Sequence, residues 1–236
     1  PMLVTVPGVL LLIDHWPLKR QTSFLRLLFE KIPLFSLSVF SSYMTIIAQK
    51  SSGAMASLEM LPLSLRIANA IVTYLQYIKM MVWPMHLSFF YPISDTLSMF
   101  QVAVSGLTLV CITIFCFLTA KKHPYLVVGW LWYIFTLIPV IGLVQVGRQA
   151  MADRYTYVPF IGLYIMIAWG GATMAEKWRV PKIGLATLMG ILFLPLGIVS
   201  WESVQYWKNS ISLYEQAIRS TRNNYIAHYN LANALF

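Results

Sequence analysis

The chain of 236 residues is 58% hydrophobic and only 11% charged, and its formal net charge is +9. Soluble domains carry about a quarter charged residues, so this composition excludes a water-soluble fold. The apolar residues gather in runs of about 15 to 22, which is the length of membrane-spanning helices. The basic residues lie in short loops between those runs, where they orient a membrane protein, so no nucleic-acid partner is indicated. Cys111 and Cys116 lie within one run, which predicts neither a disulfide framework nor a metal site.

The first part of the chain predicts a partial span, a surface segment and a short second span. The apolar stretch 1–13 is shorter than the roughly 20 residues that a span needs. We therefore expect the sequence to begin within a helix of a longer protein. After a polar turn, the amphipathic segment 24–32 is predicted to lie at the membrane interface. The short span is predicted over 33–48.

The interval 49–95 is the longest one that contains polar residues, and it is followed by the clearest spans. Its inner part, 66–83, is apolar but interrupted by polar residues, and we predict a juxtamembrane helix there. Spans are then predicted at 98–119, 125–146, 157–175 and 183–200. Together these segments predict an all-α bundle of about six spans, which covers residues 1–200.

The positions of the basic residues predict the orientation of this bundle. If 66–83 does not cross the membrane, the loops 14–32, 120–124 and 176–182 share one side and hold more than half of the 17 Lys and Arg residues. That side should be cytoplasmic. The segments 49–97 and 147–156 and the C-terminal tail would then be exoplasmic, which means periplasmic for a bacterial inner-membrane protein or luminal for a eukaryotic one. If 66–83 crossed, the bias would disappear.

The tail, 201–236, has ordinary polarity and helical periodicity. Its small and large residues fit the start of a tetratricopeptide-repeat domain in one register. The positions that match are Ser210, Tyr214, Ala217, Leu231, Ala232 and Leu235. An unrelated helical hairpin is the alternative. Isolated repeats cannot bury their own apolar faces, so we expect further repeats after Phe236.

The loop 147–159 concentrates the side chains that could carry chemistry. It contains Arg148, Asp153, Arg154, Tyr155 and Tyr157 between two predicted spans. The planar guanidinium of arginine binds phosphate oxygens with two hydrogen bonds and stays charged beside a membrane, so these residues predict a site for a lipid-linked phosphate. The alternative is that Asp153 pairs with Arg148 or Arg154 only to stiffen the loop.

The segment 81–92 is a second candidate, with prolines and aromatic residues around His86. That histidine could bind a phosphate or transfer a proton, or it could be a polar residue of the interface. The sequence has no Gly-rich phosphate loop, no His-Glu-x-x-His pair and no Gly-x-Ser-x-Gly elbow, so nucleotide hydrolysis and zinc proteolysis are not indicated. No cofactor is indicated, and a metal requirement is left open.

Three stretches together carry a resemblance to a known family. The first consists of residues 1–5 and the sequence Asp-His-Trp-Pro-Leu at 14–18. The second consists of Trp-Pro-Met-His-Leu-Ser at 83–88 and Tyr-Pro at 91–92. The third is Asp-Arg-Tyr-Thr-Tyr-Val-Pro at 153–159. With the order of spans followed by repeats, the chain resembles bacterial tetratricopeptide-repeat membrane proteins. That group is similar to the transmembrane and tetratricopeptide-repeat O-mannosyltransferases of the GT-C glycosyltransferase superfamily.

The resemblance implies a polytopic enzyme that moves a sugar from a polyprenyl-phosphate donor to an acceptor on the exoplasmic side. The family's acidic, Arg, aromatic motif maps onto Asp153, Arg154 and Tyr155, which implies donor binding there. The catalytic carboxylate of the superfamily lies in an early exoplasmic loop, so we expect it upstream of Pro1. Phe90 stands where eukaryotic members tend to have an acidic residue, so no carboxylate role is expected at that position. The repeats would hold the acceptor protein.

Two other functions compete with this reading. A non-catalytic membrane scaffold would present the repeats for protein interaction in the cell envelope, since architecture alone does not establish chemistry. A transporter or polymerase of lipid-linked oligosaccharides would need charged groups within the spans, and the sequence places none at their centres.

Overall fold

The computed structural model describes residues 2–51, 62–85, 87–93, 97–143 and 149–236. Within these residues the fold is all-α apart from one two-stranded sheet, as the sequence predicts. The α-helices are α1 (Val6–His15), α2 (Phe24–Glu30), α3 (Ile32–Ser51), α4 (Leu63–Val82), α5 (Met99–Thr119), α6 (Pro124–Leu137), α7 (Tyr157–Lys177), α8 (Lys182–Gln205), α9 (Ser210–Ser220) and α10 (Tyr225–Leu235). The strands are β1 (Tyr91–Pro92) and β2 (Gln149–Met151), and short 3-10 helices cover Met2–Thr5 and Asp153–Tyr155.

Four of the described helices are long and apolar enough to cross a membrane, namely α3, α5, α7 and α8. Helices α1 and α6 are equally apolar but have only 10 and 14 residues. The sequence predicted a span over 125–146, yet α6 ends at Leu137. Pro139 follows two residues later, and because it has no N–H to donate to the Phe135 carbonyl, the chain continues as turns over 138–140 although Ile138 still has helical φ and ψ.

Helix α6 is the centre of the bundle and packs against α1, α5 and α7. Its side chains Val128, Trp130, Tyr133 and Leu137 are almost fully buried. The closest packing is with α7, where Gly129 of α6 and Gly162 of α7 face each other and allow the two backbones to touch. Small residues at such crossings are the usual way in which membrane helices approach closely.

Helix α4 covers the interval for which a juxtamembrane helix was predicted, and it has one buried, mostly polar face. Arg66, Asn69, Thr73 and Tyr77 are buried on that face, with spacings of three and four residues. The face packs against α5 and β2. Whether α4 lies along a membrane surface stays a prediction.

The loops gather at two ends of the bundle. At the basic end, Trp16 contacts the rings of Tyr125 and Trp169, at centroid distances of 6.1 and 5.1 Å. Lys31 and Arg20 form ion pairs with Asp14 beside it. The structure therefore places the basic loops 14–32 and 120–124 together, as the predicted orientation requires.

The other end, which we call the loop end, consists of residues 87–92 and 149–155. Strands β1 and β2 pair there in antiparallel fashion, with Tyr91 opposite Met151 and Pro92 opposite Gln149. The tail helices α9 and α10 pack against each other through Ala217 and Ala227, both fully buried. The tail contacts the loop end through Asn224, whose Nδ2 donates to the Phe90 carbonyl oxygen at 3.1 Å. Its assignment as a tetratricopeptide repeat stays a prediction.

Candidate functional site

The 149–155 segment is held in place by side chains of α4. The hydroxyl of Tyr77 accepts from the Ala152 backbone N–H at 3.0 Å and donates to the Ala152 carbonyl at 3.1 Å. Asn69 donates from Nδ2 to the Ala150 carbonyl at 3.0 Å. Because β2 has only three residues, these side-chain bonds satisfy backbone groups that a longer sheet would pair. The segment therefore enters the short 3-10 helix in a fixed position.

Asp153 begins that 3-10 helix and is hydrogen-bonded across the sheet. Its Oδ2 accepts from the Tyr91 hydroxyl at 3.1 Å, and that hydroxyl accepts from the Ser88 backbone N–H at 2.8 Å. The carboxylate therefore joins the 149–155 segment to the 87–92 segment. Its other oxygen, Oδ1, is buried and receives no hydrogen bond from the residues that the structure describes.

Burial raises the pKa of Asp153 from 3.8 to about 6. The hydrogen bond from Tyr91, the nearby Ser88 N–H and the charge of Arg154 each lower the pKa, but together they do not offset the loss of hydration. The same burial, with the Asp153 charge as a further cause, raises the pKa of Tyr91 above its ordinary value, so its hydroxyl stays a proton donor. Carboxyl groups with raised pKa values are concentrated at functional sites.

Arg154 and Tyr155 form the exposed part of the site. The Arg154 guanidinium is exposed and lies over the Tyr155 ring, 5.2 Å from its centroid. Gln149 joins both side chains, since its Nε2 donates to the Tyr155 hydroxyl at 3.0 Å and its Oε1 accepts from Arg154 at 3.4 Å. A cation held on an aromatic face keeps most of its N–H groups available for an anion.

The loop-stiffening alternative is wrong for the pair of Asp153 and Arg154. In the described part of the chain, no ion pair joins them, and the two side chains have different partners. The second possible partner, Arg148, lies outside the described residues. Arg154 is thus oriented by neutral groups, and its exposed guanidinium forms no ion pair with a carboxylate of the described residues.

The other predicted site residues are not brought into this cluster. Tyr157 is the first residue of α7 and is 78% exposed, and among the described residues it forms no hydrogen bond with Arg154 or Asp153. His86, like Arg148, falls outside the described residues. Their proposed roles in donor binding stay predictions.

Several residues of the site were not anticipated from the sequence as site residues. Tyr91 donates to Asp153 and accepts from the Ser88 N–H, while Asn69 and Tyr77 hold the backbone before Asp153. The signal was the spacing of polar residues along α4. Of the polar residues that interrupt this helix, Asn69 and Thr73 lie on the buried face, whereas Gln76 and Lys79 are exposed, so the pattern marks the face of the site only in part.

Comparison with known proteins gives a partial and distant relationship. The chain is 28% identical over 137 residues to the human protein O-mannosyl-transferase TMTC1, and the match covers 57% of the chain and 15% of that protein. It is 27% identical over 137 residues to the mouse protein of the same name, which covers 57% of the chain and 14% of that protein. No family model matches, and no solved structure matches. The chain is therefore a helical membrane protein similar to a small part of these O-mannosyl-transferases.

Proposed function

We propose that this chain is part of a membrane glycosyltransferase that transfers a sugar from a polyprenyl-phosphate donor to a protein or another acceptor. The observation that carries the proposal is the exposed Arg154, which forms no ion pair among the described residues and lies at the end of the bundle where the tail is also docked. The similarity to proteins named O-mannosyl-transferases supports the same reaction class.

The chemistry assigns Arg154 to the donor phosphate. A glycosyl phosphate gains negative charge on its phosphate as the sugar leaves, and a fixed guanidinium stabilises that charge. Tyr155 holds the guanidinium in place through its ring, and Tyr155 or Tyr157 would orient the sugar or the lipid head group. Arg148 and His86 are secondary candidates for the same phosphate. The base that deprotonates the acceptor hydroxyl would be a carboxylate upstream of Pro1.

Asp153 has a positioning role in this scheme. It binds Tyr91 rather than Arg154, so it fixes the loop and leaves the arginine free to meet the donor. The distribution of basic residues favours the exoplasmic face for this end, which would be the periplasm for a bacterial inner-membrane protein. The lipid bilayer, the lipid-linked sugar and an acceptor bound by the tail are the partners that the proposal requires.

The test is transfer of a radiolabelled sugar from its polyprenyl-phosphate carrier by the full-length protein in membranes. Arg154→Ala should lower the transfer rate by about 10²-fold, which is a typical cost of removing a group that stabilises developing negative charge. The transfer rate of Arg154→Lys should lie between those of the wild type and Arg154→Ala, because lysine keeps the charge but lacks the planar guanidinium group. Arg219→Ala is the matched control, since Arg219 is an exposed tail arginine paired within its own helix to Glu215 at 3.5 Å.

Equal transfer by the wild type and by Arg154→Ala would remove Arg154 from the site. If the wild type transferred no sugar but its tail still captured a defined protein, the chain would be a scaffold rather than an enzyme. That outcome would reject the glycosyltransferase proposal.

A further inference from the structure

Three consecutive residues of the loop end, Phe89, Phe90 and Tyr91, join the tail to the Asp153 segment. We call them the aromatic segment. The Phe89 ring contacts the Tyr214 ring of α9 at a centroid distance of 5.5 Å. The Phe90 carbonyl accepts from Asn224, and the Tyr91 hydroxyl donates to Asp153. Each residue thus makes a different contact, two with the tail and one with the proposed donor site.

Asn224 is the most specific of these contacts. Its side chain is 1% exposed and makes three hydrogen bonds. Oδ1 accepts from the Ala227 backbone N–H at 3.0 Å and so caps α10, while Nδ2 donates to the Thr221 hydroxyl at 2.9 Å and to the Phe90 carbonyl at 3.1 Å. A helix cap needs only the oxygen. The amide donor is therefore the part of this side chain that reaches the loop end.

The bond to Phe90 is partly buried and directional. Nδ2 also donates to Thr221, and the Phe90 carbonyl also accepts from the Ser88 hydroxyl at 3.0 Å, so Asn224 joins a small network of hydrogen bonds that favours one position of α10 on the loop end. The Phe89 and Tyr214 rings add a second point of contact on α9. Because the two contacts involve two helices of the tail, they fix both the orientation of the tail and its distance from the loop end.

We infer that Asn224 is a positioning residue that holds the tail against the aromatic segment, so that an acceptor bound by the tail is presented beside Arg154. This inference rests on the proposed function for its consequence but not for its geometry. It assigns the aromatic segment a specific task, which is to keep the acceptor module and the donor site at a constant separation.

The test uses the full-length protein with substitutions that separate the cap from the tail contact. Asn224→Ser and Asn224→Asp both keep an oxygen that can cap α10, but neither has the amide donor that reaches Phe90. Asn209→Asp is the matched control, because Asn209 caps α9 through Oδ1, accepting from Ser212 at 2.8 Å, and is exposed. Hydrogen exchange at the Ala227 amide checks that α10 remains folded.

Two readouts distinguish this inference from the proposed function. The first is the yield of short-range cross-linking between cysteines placed at 90 and 222, which leave the Phe89 and Tyr214 rings and the Phe90 backbone carbonyl in place, in a background without the two natural cysteines. It should fall about tenfold in both Asn224 variants and not in Asn209→Asp, as expected for loss of one hydrogen bond. The second is kinetic: the KM for the acceptor protein should rise about tenfold, with donor binding and kcat unchanged.

Unchanged cross-linking in the Asn224 variants would overturn the positioning role. A fall in kcat with unchanged KM would also overturn it, because the residue would then act on the reacting groups. If the wild type transferred no sugar, the proposed function and the delivery of an acceptor would both fail. The cross-linking result would still decide whether Asn224 holds the tail.

Discussion

The crossing of α6 and α7 is the point at which the smallest substitution should have the largest effect. A Cβ added to Gly162 would lie 2.9 Å from the Cβ of Trp132 and closer still to the carbonyl oxygen of Gly129. Since carbon atoms pack at about 3.5 Å or more, the helices would have to separate by at least about 0.6 Å. Neither of these atoms belongs to the end of a flexible side chain, so no rotamer change relieves the overlap.

Gly162→Ala should therefore lower the free energy of unfolding by about 1–3 kcal/mol, the usual range for overpacking a well-packed core. The assay is unfolding in detergent followed by tryptophan fluorescence, to which Trp130 and Trp132 of the same crossing contribute along with the other six tryptophans. Gly171→Ala is the control on the same helix, because its added Cβ has nothing within 4 Å. That variant should be neutral or stabilising by up to about 1 kcal/mol, since alanine is the better helix former.

The same substitution has a consequence for the site. Trp132 donates from Nε1 to the Val158 carbonyl at 2.9 Å, and Val158 follows the Asp153 segment by a few residues. A displaced α7 would move the start of that helix and the segment before it. If Gly162→Ala were as stable as Gly171→Ala, the close approach of α6 and α7 would be refuted.

Three further predictions concern the loop end. Because the folded-state pKa of Asp153, about 6, exceeds its ordinary value of 3.8, the folded chain binds this proton more tightly and loses stability as the pH rises through that interval. Asp153→Asn should thus be more stable than the wild type at pH 7 and equal to it below pH 3.8. Denaturant unfolding at both pH values measures this difference. Equal stability of the two proteins at pH 7 would contradict a buried carboxyl group at 153. Tyr91→Phe should raise the pKa of Asp153 above about 6, because the hydrogen bond from the Tyr91 hydroxyl lowers that pKa. An infrared titration of the carboxyl band would detect the shift. A downward shift of the pKa would argue against that hydrogen bond. Asn69→Ala should speed hydrogen exchange at 149–152 about fivefold, as expected for about 1 kcal/mol from one lost bond, while an unchanged rate would mean that α4 does not hold this segment.

The helices of this fold could be predicted from the sequence because apolar runs of span length have few alternatives in a membrane. The helix ends were harder, and α6 shows why. The run 125–146 is mostly apolar, but α6 ends at Leu137, two residues before a proline that has no N–H for the helix, and hydropathy does not register backbone geometry. The two-stranded sheet was also missed, since strands of two and three residues leave no periodic pattern.

The site was predictable in part for a related reason. Asp153, Arg154 and Tyr155 are contiguous, so their motif could be found in the sequence. Their partners come from distant segments: Tyr91 is 62 residues from Asp153, and Asn224 is 134 residues from Phe90. Such pairings depend on how the helices pack, and no local pattern in one sequence specifies them.

In the proposed function the lipid-linked phosphate binds at the loop end, beside Arg154, rather than at the basic end. Photolabelling of the full-length protein with a photoactivatable polyprenyl-phosphate sugar, followed by peptide mapping, tests this directly. The label should attach within 149–157, and Arg154→Ala, but not Arg219→Ala, should reduce it. A label confined to peptides of the basic end, such as those containing Lys121 and Lys122, would contradict it.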